Sequence, residues 1–219
     1  MNKEKVIKAI IKQGFLPLYF HPDENTSIKV LAVLYESGVR IVEYTNRGKQ
    51  ALKNFRSLAK ECYSQFPDLI LGLGTVVESK TAAKAIQNGA DFLVSPGYTK
   101  ELSKFSDNEN ILWIPGCMTP TELIQAQNDG LSLIKIFPAS SLGHAFLKSV
   151  REVFPDLIFI PTGGIDIEQT ESWFTAGASA IGMGSSLISQ TSMDNKDFEE
   201  VKLKITSLTK QIAAVRTSK

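Results

Sequence analysis

The chain has 219 residues, 43% hydrophobic and 21% charged, with a formal net charge of +1. Without clustered Lys and Arg it is not built for a nucleic-acid backbone, and no apolar run approaches the roughly 20 residues of a membrane span. The two cysteines, Cys62 and Cys117, are too few for a disulfide framework and suit a reducing cytoplasm, and two histidines leave little for a metal site.

The chain opens without a visible signal peptide on an amphipathic stretch, with Val6, Ile7, Ile10 and Ile11 at helical spacing, which predicts an N-terminal helix. Short β-rich runs follow at regular intervals: 15–20, 39–44, 69–73, 91–95, 111–115, 131–137, 157–161 and 178–183. They are rich in Val, Ile, Leu and Phe and bounded by Gly, Pro or Asp, as buried parallel strands are. Helical patterns separate them, among them 26–37, 49–65, 119–129 and 166–176. Thr119, Pro120, Thr121 and Glu122 read as an N-cap, a proline in the first turn and an acidic first turn. Gly38, Gly89, Gly130 and Gly177 each close a helix before the next strand. His144 is expected at the start of a helix, Met118 in the core or a pocket wall, and Asn195 to Lys219 as a last amphipathic helix with a frayed basic end.

Eight such units with no composition break predict one α/β domain over residues 1–219, a single (β/α)8 barrel capped by the N-terminal helix. The alternative is an open doubly wound sheet, which normally carries G-x-G-x-x-G after its first strand; Leu18–Glu24 contains no glycine.

In such a barrel the site lies at the strand C-termini, so polar residues there are informative. Lys135 shares strand parity with Leu131, Leu133 and Phe137, while Ile134 and Ile136 point the other way. Burying an unpaired ammonium is costly, and an amine that sheds its proton can form a Schiff base with a ketone. The alternatives are a lysine reaching solvent at a strand edge or a structural ion-pair partner. Glu43, Thr45 and Arg47 stand at i, i+2 and i+4; Glu43 suits a general acid/base and Arg47 a two-pronged grip on a carboxylate, the alternative being a buried Glu–Lys or Glu–Arg pair that satisfies itself. Thr75, on the parity of Leu71 and Leu73, ends the third strand with a hydroxyl available to a substrate oxygen. Gly163, Gly164, Gly184 and Ser185 follow the last two strands, where backbone N–H groups often hold a phosphate; tight β-to-α turns also want glycine.

The ordered set E-x-T-x-R at 43–47, G-x-G-T at 72–75, V-S-P-G at 94–97, I-P-G-x-M-T-P-T-E at 114–122, K-x-F-P at 135–138, P-T-G-G at 161–164 and G-x-G-S at 182–185 resembles the 2-keto-3-deoxy-6-phosphogluconate (KDPG) aldolase family, whose members often also cleave 4-hydroxy-2-oxoglutarate (KHG). The resemblance implies a cytoplasmic, homotrimeric class I aldolase acting on a phosphorylated 2-keto acid, with no metal or other cofactor. Lys135 would carry the Schiff base, Glu43 the protons, Arg47 and Thr75 the pyruvate carboxylate. Gly163, Gly164, Gly184 and Ser185 would hold the phosphate, and Pro96, Phe137 and Thr162 line the pocket. One position departs: many relatives carry a basic residue at the end of the first strand, where this chain has Phe20. Competing readings are a metal-dependent aldolase, an aldolase for the galactonate epimer, and a catalytically silent phosphosugar-binding barrel.

Overall fold

The computed structural model describes residues 2–217. Its elements alternate in the expected order: α1 (Lys3–Gln13), β1 (Phe15–Tyr19), α2 (Glu24–Glu36), β2 (Ile41–Thr45), α3 (Ala51–Gln65), β3 (Ile70–Gly74), α4 (Ser79–Gln87), β4 (Phe92–Val94), α5 (Lys100–Asn108), β5 (Leu112–Ile114), β6 (Gly116–Cys117), α6 (Pro120–Asn128), β7 (Leu133–Ile136), α7 (Ala139–Val153), β8 (Ile158–Pro161), a 3-10 turn at Ile167–Gln169, α8 (Thr170–Thr175), β9 (Ile181–Met183), α9 (Gln190–Asp194) and α10 (Phe198–Thr217). Every predicted strand overlaps an observed one, and every strand pair among the described residues is parallel. No helix among the described residues is long and apolar enough to cross a membrane.

The single eight-stranded sheet expected from the sequence is instead two parallel sheets, six strands in the order β5-β4-β3-β2-β1-β9 and three in the order β6-β7-β8. At one seam, the run predicted as one strand at 111–115 is broken at Pro115, which has no N–H to donate. Its continuation, β6, pairs with β7, and Pro115 still accepts from the Lys135 N–H at 2.9 Å. At the other seam β8 ends on Pro161, and its chain meets β9 through the isolated bridge Thr162–Gly182 and the bond from Ser179 N–H to Phe159 O, 3.0 Å.

Strand alternation sorts the side chains into two buried clusters. One gathers Leu16, Ile41, Ile70, Phe92, Val94, Leu112, Ile114, Leu133 and Ile160, one or two residues from nearly every strand, with Val6 and Ile10 of α1 packed among them. The other holds the opposite parity, including Val42, Tyr44, Leu71, Leu73, Ile134 and Ile136, against the helices. Each fully buried Leu, Ile or Phe in these clusters contributes about 1.5–3 kcal/mol.

Local chemistry explains the element ends. Thr119 caps α6 as expected: its hydroxyl accepts from Glu122 N–H, and Glu122 Oε2 accepts from Thr119 N–H at 2.8 Å. Gly38, Gly89, Gly130 and Gly177 all have positive φ, between 75° and 108°. His144 begins a helical segment, because Gly143 (φ 74°, ψ 172°) interrupts α7 just before it. Met118 departs from expectation: it is 47% exposed, because its N–H joins the cap by donating to Glu122 Oε2 and the chain turns outward there. The last helix buries Val201, Ile205, Leu208 and Ile212, and Arg216 near its end donates to the carbonyls of Ile11 and Lys12, satisfying acceptors that end α1. Ser218 and Lys219, the rest of the predicted basic end, lie outside the described residues.

Candidate active site

Lys135 follows Leu133 on the inner face of β7, and Glu43 follows Ile41 on the inner face of β2, so both enter one interior from different sheets. Lys135 is 7% exposed, and among the described residues its ammonium has no hydrogen-bond or ion-pair partner; its Nζ lies over the Phe137 ring, 5.0 Å from the centroid. Glu43 is 1% exposed, and neither carboxylate oxygen has a partner. Two buried ionisable groups left unpaired in this way are costly for folding, which the self-satisfied structural pair would not be.

The glycines of β3 make the room. A Cβ on Gly72 would lie 2.4 Å from the Phe92 ring, and one on Gly74 would lie 1.8 Å from Glu43 Oε1. Gly182 of β9 does the same for Thr162, whose Oγ1 would be 2.2 Å from an added Cβ. These strand glycines are therefore spaces for neighbouring side chains.

A cavity of about 380 Å³ opens above these residues. Lys135, Arg47, Phe137, Thr162, Gly163, Gly164, Gly184 and Ser185 line it, so eight of the eleven residues nominated from sequence meet there. Phe137 is seated between Lys135 and Gly163, where an added Cβ would lie 3.1 Å from its ring. The N–H groups of Gly163, Gly164, Ser185 and Ser186 donate to no protein acceptor among the described residues, and the Ser186 hydroxyl ties the two loops by donating to Ile165 O at 2.6 Å. Converging free N–H groups of this kind suit an anion.

Three nominated residues do not line the cavity. Glu43 lies buried on the inner face of β2, against Gly74. Pro96 is half-buried, and its carbonyl packs on Gly116, the residue in register with Lys135. Thr75 follows the end of β3 with φ 59°, so the strand's alternation stops before it; Leu71 and Leu73, whose parity it shares in sequence, face the helices. Sequence reasoning missed Leu18, Ile165, Asp166 and Ser186, which complete the lining. Leu18 was recoverable from its alternation with Leu16, and Ser186 from its place beside Ser185; Asp166 carried no signal, being readable as the cap of the turn that follows.

Cys117 stays out of the chemistry. It lies in the helix-facing cluster, and burial, with a lesser contribution from Glu122, pushes its thiol up to about 12. His21 is engaged with Asp194 (3.0 Å) and His144 stacks on Trp173 (4.1 Å between centroids). Among the described residues, no group of three or more His, Cys, Asp or Glu is placed to hold a metal ion.

The chain is similar over most of its length to known proteins of one family. A family profile described as KDPG and KHG aldolase matches residues 6–204. A 2-dehydro-3-deoxy-phosphogluconate aldolase of Pseudoalteromonas atlantica is 30% identical over 207 residues, covering 94% of this chain and 93% of the relative. The KHG/KDPG aldolase of Escherichia coli K12 is 31% identical over 176 residues, 80% of this chain and 81% of its own. Among solved structures, the KDPG aldolase of Legionella pneumophila, captured with pyruvate as a covalent carbinolamine, superimposes with TM-score 0.87 at 26% identity, covering 95% of this chain and 98% of that one.

Proposed function

The chain belongs to the KDPG and KHG aldolase family, and from that premise we propose that Lys135 carries the substrate as an iminium while Glu43 moves the protons. The protein is a carbon–carbon lyase of that family, cleaving KDPG to pyruvate and glyceraldehyde 3-phosphate and KHG to pyruvate and glyoxylate. The observation that carries the residue assignment is the unpaired amine of Lys135 in a cavity it shares with Arg47 and with the free N–H groups of two glycine loops.

The Lys135 amine attacks the C2 ketone, and loss of water gives the iminium. That cation draws in the C3–C4 bonding electrons as Glu43 takes the C4 hydroxyl proton, releasing the aldehyde and leaving an enamine. Glu43 returns a proton to C3, and hydrolysis frees pyruvate and the amine. One carboxyl group serves both half-reactions. Arg47 holds the pyruvate carboxylate by parallel hydrogen bonds; Thr75, expected beside it, stands outside the cavity lining. Gly163, Gly164, Gly184 and Ser185 take the phosphate, and Phe137 and Thr162 shape the wall between the two ends, with Pro96 behind Lys135 against Gly116. No step calls for a metal ion.

The same reading makes the chain one domain in which both sheets and α1 form a single capped (β/α)8 barrel, working in the cytoplasm as a homotrimer. Analytical ultracentrifugation tests the trimer; a monomer at micromolar concentration would overturn it. The decisive experiment on the chemistry is borohydride reduction in the presence of pyruvate, followed by peptide mass spectrometry. A single pyruvate-derived adduct on the Lys135 peptide is expected, absent in Lys135→Ala. Folded wild-type protein without that adduct would remove the Schiff base.

A further inference from the structure

Arg47 lines the cavity from an exposed position, and its guanidinium has no hydrogen-bond or ion-pair partner among the described residues. No side-chain tether holds it, so its reach depends on where the backbone places its Cα. Two bonds shape that backbone: Asn46 N–H donates to Gly74 O (2.9 Å) and Arg47 N–H to Thr45 O (2.9 Å). On the other side of Arg47 the ring of Phe20 lies against Gly48, with Cζ and Cε1 at 2.6 and 3.0 Å from where a Gly48 Cβ would stand. Only glycine admits the ring this close.

Phe20 is itself held. Its ring is 5.8 Å from that of Tyr44, centroid to centroid. The next residue, His21, presents a carbonyl that accepts from Tyr44 OH (2.9 Å), Ser27 Oγ (3.0 Å) and Asn54 Nδ2 (3.1 Å), all within the buried interior. Asn54 also donates to Pro22 O at 3.0 Å. The single Ser27 proton is shared between this carbonyl and Asp23 O (2.9 Å), Tyr44 and Asn54 hold the carbonyl from two other directions, and a buried network of this kind is rigid. The fixed β1–α2 connection therefore presses an aromatic face onto the turn that carries Arg47.

We propose that Phe20 is a positioning residue: through Gly48 it fixes the Arg47 turn, so that the guanidinium starts from a Cα held within reach of the substrate carboxylate. It rests on the assignment of Arg47 given above. Phe20 does not line the cavity, and the contribution is one of pre-organisation, which acts on binding of the carboxylate rather than on bond cleavage.

Two readouts on the intact protein test this. One is the pyruvate concentration that half-saturates borohydride trapping; the other is the protection pyruvate gives Arg47 against phenylglyoxal, read by peptide mass spectrometry. Phe20→Ala is expected to raise half-saturation about tenfold, leave the yield at saturating pyruvate at the wild-type level, and abolish protection of Arg47. Phe20→Leu, which keeps a packing surface, restores most of both. Gly48→Ala reproduces the defect by displacing the ring and leaves the buried network intact, so it carries the test even where Phe20→Ala does not fold. The double variant is no worse than either single one. Half-saturation within about twofold of wild type in both single variants, with Arg47 still protected, would overturn the proposal. Wild-type protein that protects Arg47 but traps no pyruvate loses the Schiff base, not this role, which the protection readout then decides alone.

Discussion

Gly74 is the complement of Glu43: the carboxylate occupies the space in which any side chain on the neighbouring strand would stand, with Oε1 1.8 Å from the position of an added Cβ. The contact joins two motifs that are separate in sequence, E-x-T-x-R on β2 and G-x-G-T on β3.

Two substitutions follow from it. Glu43→Gln removes no hydrogen bond, because neither carboxylate oxygen has a partner. It is expected to keep the thermal midpoint at or above wild type while lowering kcat by about 10²–10⁴-fold, the range of a lost general acid/base. Gly74→Ala should depress kcat similarly by displacing the carboxyl group. Turnover in Glu43→Gln within about tenfold of wild type would remove Glu43 as the proton carrier.

At the other end of the cavity, Gly164 has φ 68°, and a Cβ there would meet Ser140 Oγ at 2.4 Å. Gly164→Ala therefore strains the backbone by about 1–3 kcal/mol and shifts the N–H groups offered to the phosphate. KM for KDPG should rise about tenfold or more, while KM for unphosphorylated KHG stays near wild type. Equal effects on both substrates would move the phosphate away from this loop.

Asp129 gives a stability prediction with a defined pH window. Hydrogen bonds from Lys100, then Ser103 and Tyr98, lower its carboxyl from the ordinary 3.8 to about 2. A depressed folded-state value adds stability that is present above pH 4 and is lost as pH falls towards 2. Asp129→Asn should therefore lower the thermal midpoint at pH 6, with the gap to wild type closing between about pH 4 and 2. A gap independent of pH would mean that the aspartate acts through packing alone.

Much of this molecule is written locally. Alternation along 41–45 and 131–137 set Glu43 and Lys135 each on one definite side of its strand before any strand was paired, since successive side chains in a strand must take opposite sides. The cap at Thr119 and the glycines that close the helices are matters of nearest-neighbour sterics and hydrogen bonding, which a sequence carries directly. The order of the seven motifs was enough to point to the family.

What the sequence did not carry depends on residues brought together over long separations. Thr75 escapes the alternation of β3 because the strand ends one residue earlier and the chain turns to positive φ. The sheet divides at Pro115, which the run 111–115 does not reveal, because the consequence of a missing N–H shows only once a neighbouring strand is in place. Leu18 and Asp166 join the cavity wall, Gly74 gives its space to Glu43, and Phe20 closes on Gly48 only after the strands have assembled. Local sterics choose each element and its inward face. Which side chains then share one volume is decided by packing between elements, and that is a property of the whole fold.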